Sequence, residues 1–420
     1  MSSAPRFYSL DVFRGATVAL MILVNNPGSW GHIYGPLEHA EWHGLTPTDL
    51  VFPFFLFAVG NAMAFVMPRF AAAGDGAFWR KVLKRSALIF AIGLFLNWWP
   101  FVRWQADALV GTPWTWWGPA QASVAGIKNG ELQLYGIRVL GVLQRIAICY
   151  LMASIIIYYL KARGALFVAM LILLAYWTLC FSLGDYTMPG FFGTAIDRAI
   201  LQVPHMYNRE TWEGLPQIFD PEGLGSTLPA VSQVIFGYLV GDYIINATRP
   251  LPGANDPAQA ANSLYRTLTG LFVTGVGMLV MGYVWDQVFP VNKRIWTSSY
   301  VTATTGMAIL ILGTLIYAIE LRNMRGGWTR FFDVFGKNAL FVFALSAFLP
   351  RTLRLLRIPN GTNDKGAPVY TNPWNFLYDK VYKFIPGDPR VGSLLFALTV
   401  IAFMWAVCYF LDKKRIYIKV

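Results

Sequence analysis

Charge is what this sequence has least of: Asp, Glu, Lys and Arg make up 13% of its 420 residues, against about 25% in soluble globular domains. With 56% hydrophobic and 16% aromatic residues, a water-soluble fold is excluded. Cysteine is nearly missing as well. Cys149, Cys180 and Cys408 each sit in an apolar stretch, where a thiol behaves as a small hydrophobe, so neither a disulfide framework nor a thiolate metal site is expected. Acidic residues number 22 against 34 basic ones, a net charge of +12. No nucleic-acid motif interleaves the basic residues, so the excess reads as basic loops anchoring helices on the cytoplasmic side of a membrane. The first apolar run is followed by no small-residue cleavage site, and that span is expected to remain in the mature protein.

Apolar length is what the chain does have. Runs long enough to cross a bilayer fall at about Leu10–Val24, Asp49–Met67, Ser86–Val102, Val139–Leu160, Ala165–Leu183, Ser226–Ile245, Leu268–Phe289, Tyr300–Ile319, Phe331–Leu349 and Leu394–Leu411. The fold predicted is all-α: a polytopic transmembrane bundle of about ten spans, forming a single integral-membrane domain over residues 1–420. Ten spans place both termini on one side. Arg69, Arg80, Lys81, Lys84 and Arg85, then Lys161 and Arg163, then Arg322, Arg325 and Arg330, and Lys413, Lys414, Arg415 and Lys419 in the tail follow even-numbered spans. The positive-inside rule puts them in the cytoplasm. The longer segments at Asn25–Thr48, Phe101–Arg138, Gly184–Gly225 and Pro350–Pro389 then face outward and supply the loops for a binding site.

The string Leu37 to Gly60, LEHAEWHGLTPTDLVFPFFLFAVG, sets ionisable side chains directly before a bilayer-length apolar run. An imidazole ordinarily changes charge near neutral pH, so His39 suits proton transfer from an amine or hydroxyl, or it is a loop histidine at the interface. His39 and His43 are four apart, a metal spacing only if that stretch is helical; no further ligand pattern accompanies them, and no metal is expected. Thr46-Pro47-Thr48-Asp49 reads as an N-cap, a proline at N1 and an acid at N3, so capping explains Asp49. Asn25 and Asn26 end the first span, where they either cap it or bind a carbonyl oxygen beside His39.

Asp11 and Arg14, at i and i+3 in SLDVFRG, share a helix face near the inner end of span one. They form either a packing salt bridge or a vestibule in which the Arg14 fork contacts an anion such as phosphate. Gln144 and Arg145 interrupt the otherwise apolar fourth span with the same pair of readings. Outside, Asp220-Pro221-Glu222-Gly223 precedes span six and Asn292-Lys293 with Trp296 precedes span eight. Turn chemistry accounts for the first, while carboxylate, amide and aromatic groups also suit sugar hydroxyls and an amine.

The strings SLDVFRG, HAEWHGLTPTDLVFPFF, GVLQR, DPEG, PVNKRIWTSSYV and GKNALFVF, in this order over nearly the whole chain, resemble the heparan-α-glucosaminide N-acetyltransferase family, which includes bacterial NagX-like proteins among the transmembrane acyltransferases. The resemblance implies an inner-membrane enzyme that takes acetyl-CoA from the cytoplasm as co-substrate and acetylates an amino sugar on the far side. It also implies surrounding lipid and a homodimer. His39 matches the family's active-site histidine, and Asn25 its nearby asparagine, with Asn26 adjacent. Asp11, Arg14, Gln144 and Arg145 fall to the donor, and Asn26, Trp42, Asp49, Asp220, Glu222, Asn292, Lys293 and Trp296 to the acceptor. Leu345-Ser346-Ala347 stand where the animal enzyme carries a polar Gly-His-Glu stretch. Transfer is either direct or through acetyl-histidine. The rival classes are an amino-sugar transporter, which would favour paired broken helices in both halves, and a membrane scaffold, which would not need costly intramembrane polar groups.

Overall fold

The computed structural model describes residues 7–105, 107–112, 114, 124–128, 131–134, 136–207, 209–248, 257–362, 366 and 368–418. Helices dominate, in the order α1 (Tyr8–Asn25), α2 (Val51–Ala64), α3 (Met67–Ala73), α4 (Asp75–Trp98), α5 (Val142–Leu183), α6 (Phe192–Leu201), α7 (Leu224–Ala247), α8 (Pro257–Asp286), α9 (Ser298–Ile316), α10 (Gly327–Lys337), α11 (Ala339–Leu353), α12 (Pro373–Leu377) and α13 (Pro389–Lys413). Among the described residues seven helices are long and apolar enough to cross a membrane. The mostly helical polytopic architecture read from the sequence is therefore the one observed. Lys419 of the basic tail and parts of the Phe101–Arg138 segment lie outside the described residues.

Each expected apolar run lies on helix, but three differ in form from a simple span. α4 carries Asp75, Arg80, Lys81, Lys84 and Arg85 in its first half, so only its second half is continuously apolar. α5 is one 42-residue element broken at Lys161, where φ is 55°. Arg145 near its start bonds Thr227 at 3.2 Å, while Ala169 in its second half accepts from Ser232 at 3.1 Å. Thr227 and Ser232 are about 7.5 Å apart along α7, whereas Arg145 and Ala169 would be about 36 Å apart on a straight helix. The chain must therefore reverse at Lys161, giving two antiparallel helices where two spans were expected. The ninth expected span is α10 and α11 together, bent by 77° at Asn338.

Small residues let the helices cross closely. A Cβ on Gly60 or Gly237 would run into carbonyl oxygens of Val234 and Phe57 at the α2–α7 crossing, and Gly15 and Gly336 stand in the same relation at α1–α10. Replacing Gly237 by Val is expected to destabilise the protein by about 1–3 kcal/mol through overpacking. Thermal unfolding in detergent checks this, with the exposed Gly277, whose added Cβ meets nothing, as the control position.

The loops are more ordered than turns alone would make them. Among the described residues four two-stranded antiparallel sheets occur in them, including Val102–Gln105 with Ala108–Gly111 and Glu210–Trp212 with Leu215–Gln217. Arg14 donates from Nε to the Gly336 carbonyl at 2.7 Å, and Asn338 bonds Ile416 and Ile418 at 3.2 and 2.9 Å. The start of α1 and the C-terminal segment therefore meet at one end of the bundle. The other end of α1, at Asn25, lies beside the segment that carries His39.

Candidate active site

Local sequence builds the first part of the site at the entry to α2. Pro47–Leu50 form a single 3-10 turn with Thr46 at its N-cap, and Asp49 returns a bond to the Thr46 amide at 3.2 Å, completing a capping box. The cap anticipated from Thr46-Pro47-Thr48-Asp49 is thus present, and it fixes a carboxylate that is 1% exposed. Its Oδ2 also accepts from the Ala40 amide at 3.1 Å and lies 3.0 Å from the Thr46 hydroxyl. Tyr300 pins the same residue from α9, its hydroxyl donating to the Asp49 carbonyl at 2.7 Å.

The other oxygen faces His39. Asp49 Oδ1 lies 2.7 Å from His39 Nδ1 and 3.4 Å from Lys293 Nζ, and Nζ is 3.1 Å from the same ring nitrogen. An ionised carboxylate only accepts, and an ammonium only donates, so the arrangement is satisfied when Nδ1–H donates to Asp49 and Lys293 pairs with the same oxygen. That tautomer leaves Nε2 with its lone pair. His39 is 42% exposed, so a base held from behind presents its free edge to whatever enters. Burial pushes the Lys293 amine down, and the charges of Asp49 and Glu222 pull it back up in part.

His39 lines a cavity of about 650 Å³, together with Asn25, Thr48, Glu222, Lys293, Phe52, Phe55, Ile146 and Phe343. A second cavity of about 1050 Å³ lies at the other end of α1, walled by Arg14, Arg85, Lys337, Phe55, Ile146, Leu340 and Ile418. Phe55 and Ile146 belong to both walls. Arg14 to Asn25 spans about 16 Å of helix, so the two cavities occupy successive depths of one cleft between α1, α2, α5 and α11.

Three cations line the second cavity, and two of them are already paired with carboxylates. Arg14 is held by Asp11 at 2.8 Å and Lys337 by Asp333 and Asp412 at 2.6 and 3.1 Å. Arg85 lies over the Tyr150 ring at 4.9 Å, and its Nε is buried without a partner. Arg85 was legible only as one of the basic residues between two expected spans, and Lys337 only as part of GKNALFVF inside the expected ninth span; nothing in their spacing placed them beside Arg14.

Several candidate residues sit away from both cavities. Asn26 is buried and donates to the Ile22 carbonyl at 2.9 Å, leaving Asn25 as the asparagine on the cavity wall. Arg145 is sealed within the bundle, donating to the Pro221 carbonyl at 2.7 Å, to Thr227 and to Ser226. Its guanidinium holds the DPEG loop and lies over Trp296 at 5.0 Å. Gln144 is 1% exposed beside Gly93 and Gly141. Trp296 packs between Phe52 and Tyr300 at 5.0 and 5.1 Å. Trp42 donates to the Tyr186 carbonyl at 2.7 Å and packs on Trp212 and Phe219. Asn292 accepts from the Ile295 amide at 3.0 Å and touches His43 at 3.4 Å. The Glu38–Thr46 stretch is bends and coil, so His39 and His43 share no helix face.

In the DPEG loop, Asp220 is buried and bonds Arg138, while Glu222 pairs with Arg138 and reaches the His39 cavity. Burial opposes charge on Glu222, but Arg138 and Arg145 outweigh it and hold its carboxyl below the usual range. Arg138 was not singled out from the sequence, because it ends a long segment between two expected spans and falls just short of the GVLQR string.

No family model matches the chain. Human heparan-alpha-glucosaminide N-acetyltransferase is 25% identical to it over 386 residues, covering 81% of this chain and 52% of that protein. The mouse protein of the same name is 24% identical over 389 residues, covering 81% and 53%. The chain is a relative of the heparan-alpha-glucosaminide N-acetyltransferases. It spans about half the length of the curated relatives it matches. The cleft of this chain has Arg14, Arg85 and Lys337 at one end and a carboxylate-backed imidazole at the other.

Proposed function

We propose that the protein is a transmembrane acetyltransferase that carries the acetyl group of cytoplasmic acetyl-CoA to the amine of an amino sugar on the opposite face. The reading rests on one observation: the Arg14–Arg85–Lys337 cavity and the His39 cavity share Phe55 and Ile146 as a common wall. Both termini and the cationic end face the cytoplasm, where the donor's phosphates meet guanidinium and ammonium groups. The pantetheine arm passes the Phe55–Ile146 constriction and brings the thioester to His39. There Nε2 accepts a proton as the amine attacks the carbonyl, and Asn25 donates a hydrogen bond to the developing oxyanion. A C–N bond forms, the C–S bond breaks, and the thiolate departs as CoA with the proton taken from the amine.

The test is CoA release from acetyl-CoA by detergent-purified protein across a panel of amino sugars. Acceptor-dependent release is the expected result. Movement of labelled amino sugar into vesicles without CoA release would identify a carrier instead. Arg85→Gln is expected to raise the KM for acetyl-CoA about tenfold with kcat nearly unchanged, since a phosphate contact far from the reacting carbonyl is kept equally in ground and transition states. Initial-rate kinetics over donor concentration measure both terms.

A further inference from the structure

Beyond the cavity wall at Phe343, α11 continues for eight residues, about 12 Å, to Arg351, and Arg354 follows at its C-cap. Asn97 in the last turn of α4 donates to the Arg138 carbonyl at 2.9 Å and Trp99 just after it donates to the Thr352 hydroxyl at 2.9 Å, which brings the segment before α5 to the end of α11. Arg138 also lies over the Tyr207 ring at 4.6 Å, two residues before Arg209, so Arg138, Arg209, Arg351 and Arg354 gather at one place. Of these four, Arg138 is neutralised by Asp220 and Glu222. Among the described residues no carboxylate pairs with Arg209, Arg351 or Arg354, and the Nη1 of Arg351 is buried with no hydrogen-bond partner.

A helix C-terminus favours a cation, by roughly 0.3–1 kcal/mol, and that accounts for one exposed arginine there. It does not account for a converging group whose like charges repel, nor for a guanidinium N–H withdrawn from water and left unbonded. A planar fork with spare donors is the group that binds oxyanions bidentately. Arg138 joins this cluster to the reaction cavity directly, because its partner Glu222 lines the wall that His39 also lines.

We propose that the rim formed by Arg351, Arg354 and Arg209 is an oxyanion-binding subsite at the His39 end of the cleft, taking a phosphate, sulfate or carboxylate held close to the acceptor amine. This deepens the reading of the site as an amino-sugar acetyltransferase. It specifies that the acceptor arrives with an anionic neighbour, supplied either by the sugar itself or by a lipid headgroup at the membrane surface.

The experiment titrates inorganic phosphate against the purified protein in an uncharged detergent with CoA present, following the rise in Tm. The wild type is compared with the Arg351→Gln, Arg354→Gln double variant and, as a loop variant that leaves α11 intact, with Arg209→Gln. Phosphate affinity is expected to fall about tenfold in the double variant and by less in Arg209→Gln. Identical titrations in all three overturn the subsite. Two further arms separate the sources. A lower KM for glucosamine 6-phosphate than for glucosamine, lost in the double variant, assigns the anion to the acceptor. Faster glucosamine turnover in vesicles containing phosphatidylglycerol than in pure phosphatidylcholine, lost in the same variant, assigns it to lipid. Phosphate binding that responds to neither arm overturns the assigned role. Because the phosphate titration needs no turnover, absence of acetyl transfer to any sugar would sink the enzymatic reading and leave the subsite standing or falling by itself.

Discussion

His39→Ala is expected to lower acetyl transfer by roughly 10²–10⁴-fold, the usual contribution of a positioned general base, while leaving acetyl-CoA binding nearly intact. The separation follows from the geometry. The imidazole lines the cavity at Asn25, and the guanidinium and ammonium groups of Arg14, Arg85 and Lys337 line the one at the other end of α1. Removing the ring takes away the proposed proton acceptor and, although it lies beside Lys293, leaves Arg14, Arg85 and Lys337 untouched. Steady-state turnover and an acetyl-CoA-dependent rise in Tm measure the two effects separately. Turnover that survives the substitution removes His39 from the mechanism. Incubation of the wild type with labelled acetyl-CoA and no acceptor distinguishes the two chemical routes. Stable label on His39 establishes an acetyl-imidazole intermediate, and its absence favours direct attack by the amine.

The parts of this molecule that were legible in the sequence are those set by local pattern. Ten apolar runs all became helix, because in hydrocarbon the backbone must satisfy its own hydrogen bonds and a helix does this within one segment. Thr46-Pro47-Thr48-Asp49 became a capping box because its three elements act within one turn. The pattern did not disclose the bend of 77° between α10 and α11. Phe331–Leu349 reads as one hydrophobic stretch, and the break at Asn338 depends on its side chain bonding the distant C-terminal segment at Ile416 and Ile418. The loop hairpins escaped for the same reason, since short strands in long loops are fixed by their surroundings.

The site divides along the same line. Asp49 was read as a cap, and the cap is real, but its second oxygen reaches His39 ten residues earlier and Lys293 some 244 residues later. Asp11 with Arg14 was visible as an i, i+3 pair. The association of Arg14 with Arg85 and Lys337 is tertiary and was not. Arg145 shows the converse. A cation inside an apolar span invites a ligand, yet here carbonyls and hydroxyls of the α7 entry take its Nε and Nη2 donors, Nη1 being left buried beside them, and it serves to hold the DPEG loop against Trp296. A buried guanidinium is satisfied equally well by backbone carbonyls and by an anion, so sequence alone cannot separate the two.

Asp49→Asn is expected to cost nearly as much activity as losing the imidazole, although it alters one atom of a residue that is almost wholly buried. The carboxylate accepts from His39 at Oδ1 and from the Ala40 and Thr46 amides at Oδ2, pairs with Lys293 at Oδ1, and has the Thr46 hydroxyl, whose hydrogen the Glu38 carbonyl takes at 2.7 Å, beside Oδ2. An asparagine has a single acceptor oxygen. Turned toward the cap, it opposes its NH2 group to Lys293 and to a ring nitrogen that can give up its proton to become an acceptor; turned toward His39, it opposes that group to the Ala40 and Thr46 amides, which cannot. The first orientation leaves fewer donors unsatisfied. It also makes His39 Nδ1 an acceptor, moving the ring proton to Nε2 and removing the lone pair that takes the amine proton. In the Ser-His-Asp triad the same inversion of tautomer costs about 10⁴ in kcat, so a fall of roughly 10²–10⁴-fold is expected here. The KM for acetyl-CoA should hold, because the proposed mechanism places the donor's phosphates at the far cavity. Lys293, left without its counter-charge, adds a loss of stability that a shift in Tm reads. The double variant His39→Ala, Asp49→Asn should be scarcely slower than either single variant, since both remove one function and residues acting as a unit are not additive. Additive losses, or an Asp49→Asn enzyme within a few fold of the wild type, would show that the carboxylate serves the cap alone.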